Sequence, residues 1–165
     1  MILGRGDIAT AIQDREGFTF YANGCSNRLP LTEDSIIEEK NQIDLLGEDE
    51  NVGMFVYIST LSIYYSQSEY TKHKIEVEDL VRSGFDNYCI FRIGNITWGD
   101  NPNTLINYLR SNQTDIQDTY RYLIDKDELN HWIGLIPQTG KHEMNVPGKR
   151  KSVQDIAKLI NQRML

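Results

Sequence analysis

The sequence is poor in several features that would assign a protein to a class directly. Its 165 residues include two cysteines without a CxxC pair and three histidines without metal-ligand spacing, so neither a disulfide framework nor a metal site is expected. The formal net charge of −7 disfavours electrostatic binding of nucleic acid. No apolar run is long enough to cross a bilayer, and the first residues do not resemble a signal peptide. We therefore expect a cytoplasmic protein with no nucleic-acid or membrane partner.

The sequence does contain a regular alternation of short apolar runs and helical patterns. The apolar runs predict strands at residues 1–3, 18–22, 54–60 and 88–93. The helical patterns predict helices at residues 7–15, 32–46, 69–82, 103–109 and 152–162. This alternation predicts one α/β domain of the Rossmann-like type, with a mostly parallel sheet covered by helices on both faces. Ligands of such sheets bind beyond the carboxyl ends of the strands.

A glycine motif follows the first predicted strand. Residues 4–9 fit G-x-G-x-x-A and open a helix, which is the context of a dinucleotide-binding turn. Gly4 and Gly6 would let the backbone approach a pyrophosphate, and Arg5 would offset the repulsion from Asp7. An ordinary strand-to-helix turn explains the same pattern. Gly4, Arg5 and Gly6 are therefore candidate cofactor-binding residues, with both interpretations open.

A tyrosine and a lysine stand four residues apart on the helix predicted at 69–82. Tyr70 and Lys74 would share one face, where the ammonium favours the phenolate and the phenol can exchange a proton with a sugar hydroxyl. Tyr122 and Lys126 have the same spacing, so spacing alone does not single out the first pair. Thr60 does, because it ends a buried strand ten residues before Tyr70.

Several segments together resemble the extended short-chain dehydrogenases/reductases, the family of sugar-nucleotide epimerases and dehydratases. Residues 59–64 (STLSIY) are similar to the segment that carries the family's catalytic Ser or Thr. Residues 91–99 (FRIGNITWG) resemble the family's L-R-x-x-N-V-Y-G run, and residues 39–46 (EKNQIDLL) resemble the helix with its active-site Asn. Residues 142–157 resemble the family's C-terminal tail. The segments keep the family's order along the chain.

The resemblance implies a role for each candidate residue. The catalytic residues would be Thr60, Tyr70, Lys74 and Asn41, the last positioning Lys74 through a water molecule. Asn95 and Ser62 would bind substrate. Asn23 and Gly24 would join the glycine motif in binding the cofactor.

The resemblance also implies an activity. The implied protein is an NAD(P)-dependent epimerase or reductase of nucleotide sugars, with NAD or NADP as cofactor. The resemblance also implies a homodimer that forms through the helices at 34–46 and 69–82. Residues 1–165 would form a single truncated domain, in which residues from about 100 onward are the small substrate-binding portion. The alternative is a non-catalytic Rossmann-like module that has lost tight dinucleotide binding and serves as a binding or partner subunit.

The chain is short for this family, and the strand at 18–22 can be aligned in two ways. As the family's fourth strand, it explains the spacing from Asn23 to Asn41 but leaves out the second and third strands, which form much of the adenosine pocket. As the second strand, it would place Arg28 near a 2′-phosphate of NADP. We favour the first alignment, which predicts a reduced number of strands and weak or lost cofactor binding. Tyr65, where the family usually has a glycine, adds bulk near the nicotinamide end.

Overall fold

The protein is described by a computed structural model that covers residues 1–25, 31–102, 104–111 and 118–165. Its strands are β1 (Ile2–Leu3), β2 (Phe18–Tyr21), β3 (Met54–Thr60), β4 (Tyr88–Ile93), β5 (Asn95–Ile96), β6 (Tyr120–Ile124), β7 (Lys141–Val146) and β8 (Lys149–Ser152). Its helices are α1 (Asp7–Ala11), α2 (Glu33–Gly47), α3 (Glu69–Gly84), α4 (Leu105–Ser111), α5 (Lys126–Gly134) and α6 (Val153–Asn161).

Five strands form one parallel sheet in the order β1-β2-β3-β4-β7. Helices cover both faces, which explains why β2, β3 and β4 are buried along nearly their whole length. On one face Phe20, Val56 and Phe91 pack with residues of α5, and on the other Phe55 and Ile90 pack with residues of α2 and α3. The predicted fold class, a Rossmann-like parallel sheet with few strands, is confirmed.

The position of β2 decides between the two alignments of the segment at 18–22. In doubly wound folds the second and third strands lie on the far side of the first, and the fourth lies on its near side. Here β2 lies between β1 and β3, so it occupies the place of a fourth strand, and β1 is the edge of the described sheet. The alignment as a second strand is wrong. Arg28, on which that alternative depended, lies outside the described residues.

The first helix is shorter than its sequence pattern predicts. It ends at Ala11 rather than near Arg15, because the Asn130 side chain of α5 hydrogen-bonds the backbone groups that would otherwise continue the helix. The Asn130 side chain donates a hydrogen bond to the Ala11 carbonyl (2.9 Å) and accepts one from the Gln13 N–H (2.8 Å). Ile12 then turns into the core. A contact between residues more than 100 positions apart therefore sets this boundary.

A second, three-stranded sheet in the order β5-β6-β8 lies beside α4 and α6. The pairing of β5 with β6 is parallel, and that of β6 with β8 is antiparallel. Strands β7 and β8 were not among the strands predicted from apolar runs, and α4 begins at Leu105 rather than at residue 103, which lies outside the described residues. The assignment of residues from about 100 onward to a substrate-binding portion stays a prediction. Of the helices in the described ranges, none has the length and apolar character needed to cross a bilayer.

Candidate active site

A cleft of about 260 Å³ opens at the carboxyl ends of the central strands. Thr60 ends β3, Gly6 and Gly24 follow β1 and β2, and Asn95 follows β4, so the sheet topology itself brings these residues to one edge. The predicted site residues that line the cleft are Gly6, Gly24, Thr60, Ser62, Tyr70, Lys74 and Asn95.

One wall of the cleft consists of hydroxyl groups on the turn after β3. The Thr60 Oγ accepts a hydrogen bond from the Ser62 N–H, which caps the 3₁₀ turn at Leu61–Tyr64, and its hydroxyl donates to the Ser62 Oγ (both 3.1 Å). The Ser62 Oγ lies 3.3 Å from the Tyr65 hydroxyl. This chain of hydroxyls can hydrogen-bond a substrate oxygen in the cleft.

Tyr70 and Lys74 project from consecutive turns of α3, whose N-terminus is capped by Ser68. The Lys74 Nζ lies 5.9 Å from the centre of the Tyr70 ring. Burial raises the pKa of Tyr70; the Lys74 ammonium and a hydrogen bond with Thr60 lower it, and Glu39 raises it again. The pKa remains above its ordinary value, so the side chain is a phenol at neutral pH.

The Lys74 ammonium is buried beneath the cleft and is held by two side chains. It donates to the Tyr57 hydroxyl (2.8 Å) and to the Glu39 Oε1 (3.3 Å). Burial alone would raise the pKa of Glu39, but the neighbouring ammonium and hydrogen bonds from Cys25 and His73 lower it to about 2. Glu39 and Lys74 therefore form a buried ion pair.

Four predicted site residues lie away from this cleft. Gly4, Arg5 and Asn23 line a separate groove on the outer side of β1, and Asn41 is exposed on α2. Among the described residues, the side chain of α2 that contacts Lys74 is Glu39, not Asn41. The helix was predicted correctly, but the residue that faces Lys74 lies two positions earlier.

Packing accounts for two of the glycines. Gly4 has a φ of +136°, and a Cβ there would lie 2.6 Å from the Ala22 carbonyl oxygen, so β1 and β2 can approach only with glycine at this point. A side chain at Gly24 would overlap the Lys74 Nζ and the Glu39 carboxylate. Gly24 therefore makes room for the ion pair.

Sequence reasoning missed the surroundings of Lys74, namely Glu39, Tyr57, His73 and Cys25. One signal was available, because Glu39 precedes Ile43 by four residues and so continues the buried stripe of α2. A carboxylate in an apolar stripe requires a buried partner. The sequence did not show which residue that partner would be.

Three of these residues also have the donor atoms of a metal site. Ligand atoms of Cys25, Glu39 and His73 lie within 4.8 Å of one another. Glu39 is already paired with the Lys74 ammonium, however, so a cation bound there would lie beside a buried positive charge. The arrangement fits an ion pair better than a metal centre.

Comparison with solved structures finds the same fold in several enzymes in complex with NAD. The chain superposes on WbmG of Bordetella bronchiseptica in complex with NAD and UDP with a TM-score of 0.69 and 14% identity over 89% of this chain and 56% of that one. For UDP-glucuronic acid 4-epimerase of Bacillus cereus with NAD, the TM-score is 0.69 at 15% identity over 94% and 61%. For dTDP-glucose 4,6-dehydratase of Bacillus anthracis with NAD, it is 0.66 at 14% identity over 88% and 57%.

The epimerase and the dehydratase are enzymes of the kind that the sequence motifs resemble, and the chain has the fold of all three proteins in shortened form. It spans 56% to 61% of the length of these three structures. The sequence matches no protein-family model and no curated protein.

Proposed function

We propose that the chain is an NAD(P)-dependent oxidoreductase acting on a nucleotide sugar, of the epimerase or reductase type. The observation that carries this proposal is the meeting of Thr60, Tyr70 and Lys74 at one cleft on the carboxyl edge of a parallel sheet. The solved structures of similar fold include complexes with NAD and with UDP. A family resemblance in the motifs and a likeness in the fold therefore support the same activity.

The roles of the residues follow from their positions. Tyr70 would transfer a proton to or from a substrate oxygen, and Thr60 would hydrogen-bond that same oxygen through its hydroxyl. Lys74 would stabilise the negative charge that develops on the Tyr70 oxygen, and Asn95 would contact the sugar nucleotide. A nicotinamide ring bound in the cleft would supply the hydride chemistry.

The residues present fit the nicotinamide end of a dinucleotide better than its adenosine end. Gly6 has no neighbouring atom where its Cβ would lie, so the glycine turn leaves space beside Thr60 and Tyr70. Beyond β1, by contrast, no further strand belongs to the described sheet, and that is where the strands of an adenosine pocket would lie. We expect the adenosine half to contribute little affinity.

A binding experiment tests this proposal. NAD⁺, NADH, NADP⁺ and NADPH are titrated to millimolar concentration while nucleotide fluorescence and the melting temperature are followed, with nicotinamide mononucleotide in parallel. We expect saturable binding, with the mononucleotide and the dinucleotide within about tenfold of each other, or about 1.4 kcal/mol. Failure of every nicotinamide nucleotide to bind would exclude the enzyme.

The second candidate function is a non-catalytic Rossmann-like module acting as a partner subunit. It is favoured by the edge position of β1, beyond which the described sheet has no strands for an adenosine pocket. The same titration separates the two functions, because the module predicts no saturable binding of any nicotinamide nucleotide at millimolar concentration.

We also propose that the chain forms a homodimer through α2 and α3. These helices pack side by side, are joined by an ion pair between Lys40 and Glu76 (2.6 Å), and expose Ile37 and Ile75. We expect sedimentation equilibrium to give about twice the 19.1 kDa mass of one chain. Ile37→Glu/Ile75→Glu should yield the monomer, whereas Leu135→Glu, on an exposed position after α5, should not. A monomeric wild-type chain would contradict this proposal.

A further inference from the structure

The ion pair beneath the cleft has no net charge. Glu39 and Lys74 are each 3% exposed, and the distance between Oε1 and Nζ is 3.3 Å. A lysine ammonium four residues from a tyrosine favours the phenolate only if its charge is not cancelled nearby. Here a carboxylate is in direct contact with it, so Glu39 opposes part of the effect of Lys74 on Tyr70, in the same direction as burial, which raises the pKa of Tyr70 most.

The Glu39 carboxylate is held rigidly by further donors. Its Oε1 accepts from the Tyr57 hydroxyl (3.0 Å), and its Oε2 accepts from the Cys25 N–H (2.8 Å) and lies 2.8 Å from the His73 Nε2. A buried carboxylate with this many donors stays ionised, in agreement with a pKa of about 2. Glu39 therefore carries its negative charge at neutral pH.

The His73 ring contacts the same carboxylate. Its Nε2 faces Glu39, and its buried Nδ1 has no hydrogen-bond partner among the described residues. The titratable and hydroxyl side chains around Tyr70 and Glu39 come from α2, α3, β3 and the segment at the end of β2: Glu38, Lys74, His73, Tyr57, Thr60, Tyr21 and Cys25.

We propose that Glu39 is a positioning residue that holds Lys74 and offsets part of its charge, so that Tyr70, buried beside the pair, stays a proton donor and the site reduces a carbonyl group rather than oxidising a hydroxyl. This inference rests on the proposed function and names its substrate class, a keto sugar linked to a nucleotide. In the reduction the carbonyl carbon gains a hydride from a reduced nicotinamide, the C=O π bond breaks, and the oxygen takes the proton of Tyr70. The nicotinamide is oxidised, and water returns a proton to Tyr70.

The ionisation of Tyr70 can be measured without cofactor or substrate. The ultraviolet absorbance of phenolate is titrated in each variant and in the same variant carrying Tyr70→Phe, and the difference reports Tyr70 alone. We expect Glu39→Gln to lower the pH at which Tyr70 ionises by about 1–3 units. Glu76→Gln, which removes an exposed carboxylate between the same two helices, should leave that pH unchanged. An unchanged ionisation in Glu39→Gln would overturn the proposal.

A double variant keeps the test decisive if Glu39→Gln does not fold, since that change leaves the Lys74 ammonium unpaired. Glu39→Gln/Lys74→Met removes both charges. If Glu39 offsets part of the Lys74 charge, the double variant ionises within about one unit of the wild type. If Lys74 acts on Tyr70 without opposition from Glu39, the double variant ionises at clearly higher pH, and the proposal fails.

The pH profile of carbonyl reduction provides a second readout. Reduction requires protonated Tyr70, so its rate falls as the pH rises through the ionisation of that residue. In Glu39→Gln this fall should begin about 1–3 units lower, with the KM for the keto sugar little changed. Absence of cofactor binding would remove the proposed function but leave the absorbance titration interpretable. If the cofactor binds but Tyr70 ionises at the same pH in Glu39→Gln as in the wild type, only the role of Glu39 is excluded.

Discussion

Tyr70→Phe is expected to reduce turnover by about 10²–10⁴-fold while leaving nicotinamide-nucleotide affinity nearly unchanged. The phenylalanine ring fills the same space beside Lys74 and Thr60 but has no hydroxyl, so no proton can pass to or from the substrate oxygen. Stopped-flow measurement of nicotinamide absorbance, together with the binding titration, separates the two effects.

The chain contains its own control for this variant. Tyr122 and Lys126 have the same spacing as Tyr70 and Lys74, but Tyr122 lies on β6 and Lys126 begins α5, so they do not share a helix face. Tyr122→Phe should therefore retain wild-type turnover. If Tyr70→Phe remains fully active, Tyr70 has no part in proton transfer.

Arg92→Met is expected to destabilise the fold by about 3–5 kcal/mol. Arg92 is 4% exposed, and its guanidinium makes two hydrogen bonds to Glu78, from Nε to Oε1 (2.8 Å) and from Nη2 to Oε2 (2.6 Å). Glu78 is 1% exposed, so removing the guanidinium leaves a buried carboxylate with only the Ser59 hydroxyl and a longer contact to Arg82. Urea unfolding monitored by circular dichroism measures the loss.

Two further variants show whether the loss of stability comes from the weakened pairing of the Glu78 carboxylate. Arg92→Met/Glu78→Gln removes both charges and keeps a partner for Ser59, so its free energy of unfolding should lie closer to that of the wild type than to that of Arg92→Met. Arg110→Met removes an exposed guanidinium and should change stability by less than about 0.5 kcal/mol. Equal losses in the single and double variants would show that packing, rather than charge, is responsible.

The parts of the fold that were predictable from sequence are those with local signals. The runs at 54–60 and 88–93 match β3 and β4 to the residue, because strands buried on both faces are continuously apolar. Strand β7 was missed because it closes the other edge of the sheet, and its residues, KHEMNV, are mostly polar and partly exposed. Strand β8 is KRKS and is recognisable as a strand only through its pairing with β6.

The same division applies to the candidate site. Thr60, Tyr70 and Lys74 could be placed together because a strand end and a helical spacing of four fix their positions. Glu39 could not, since its contact with Lys74 depends on how α2 packs against α3. The motif resemblance pointed to the correct helix, but a shift of two residues turns the side chain from the interior to the solvent.

The edge position of β1 gives the sheet a modular character. Any strand added outside β1 would pair with β1 alone. A block of such strands can therefore be absent without disturbing the pairing of β2, β3, β4 and β7. The connection between α1 and β2 is the point at which such a block would enter the chain. Under the proposed function, the groups that transfer the proton and the strands that would bind the adenosine half are therefore separable pieces of one architecture, which meet in the chain at this single connection.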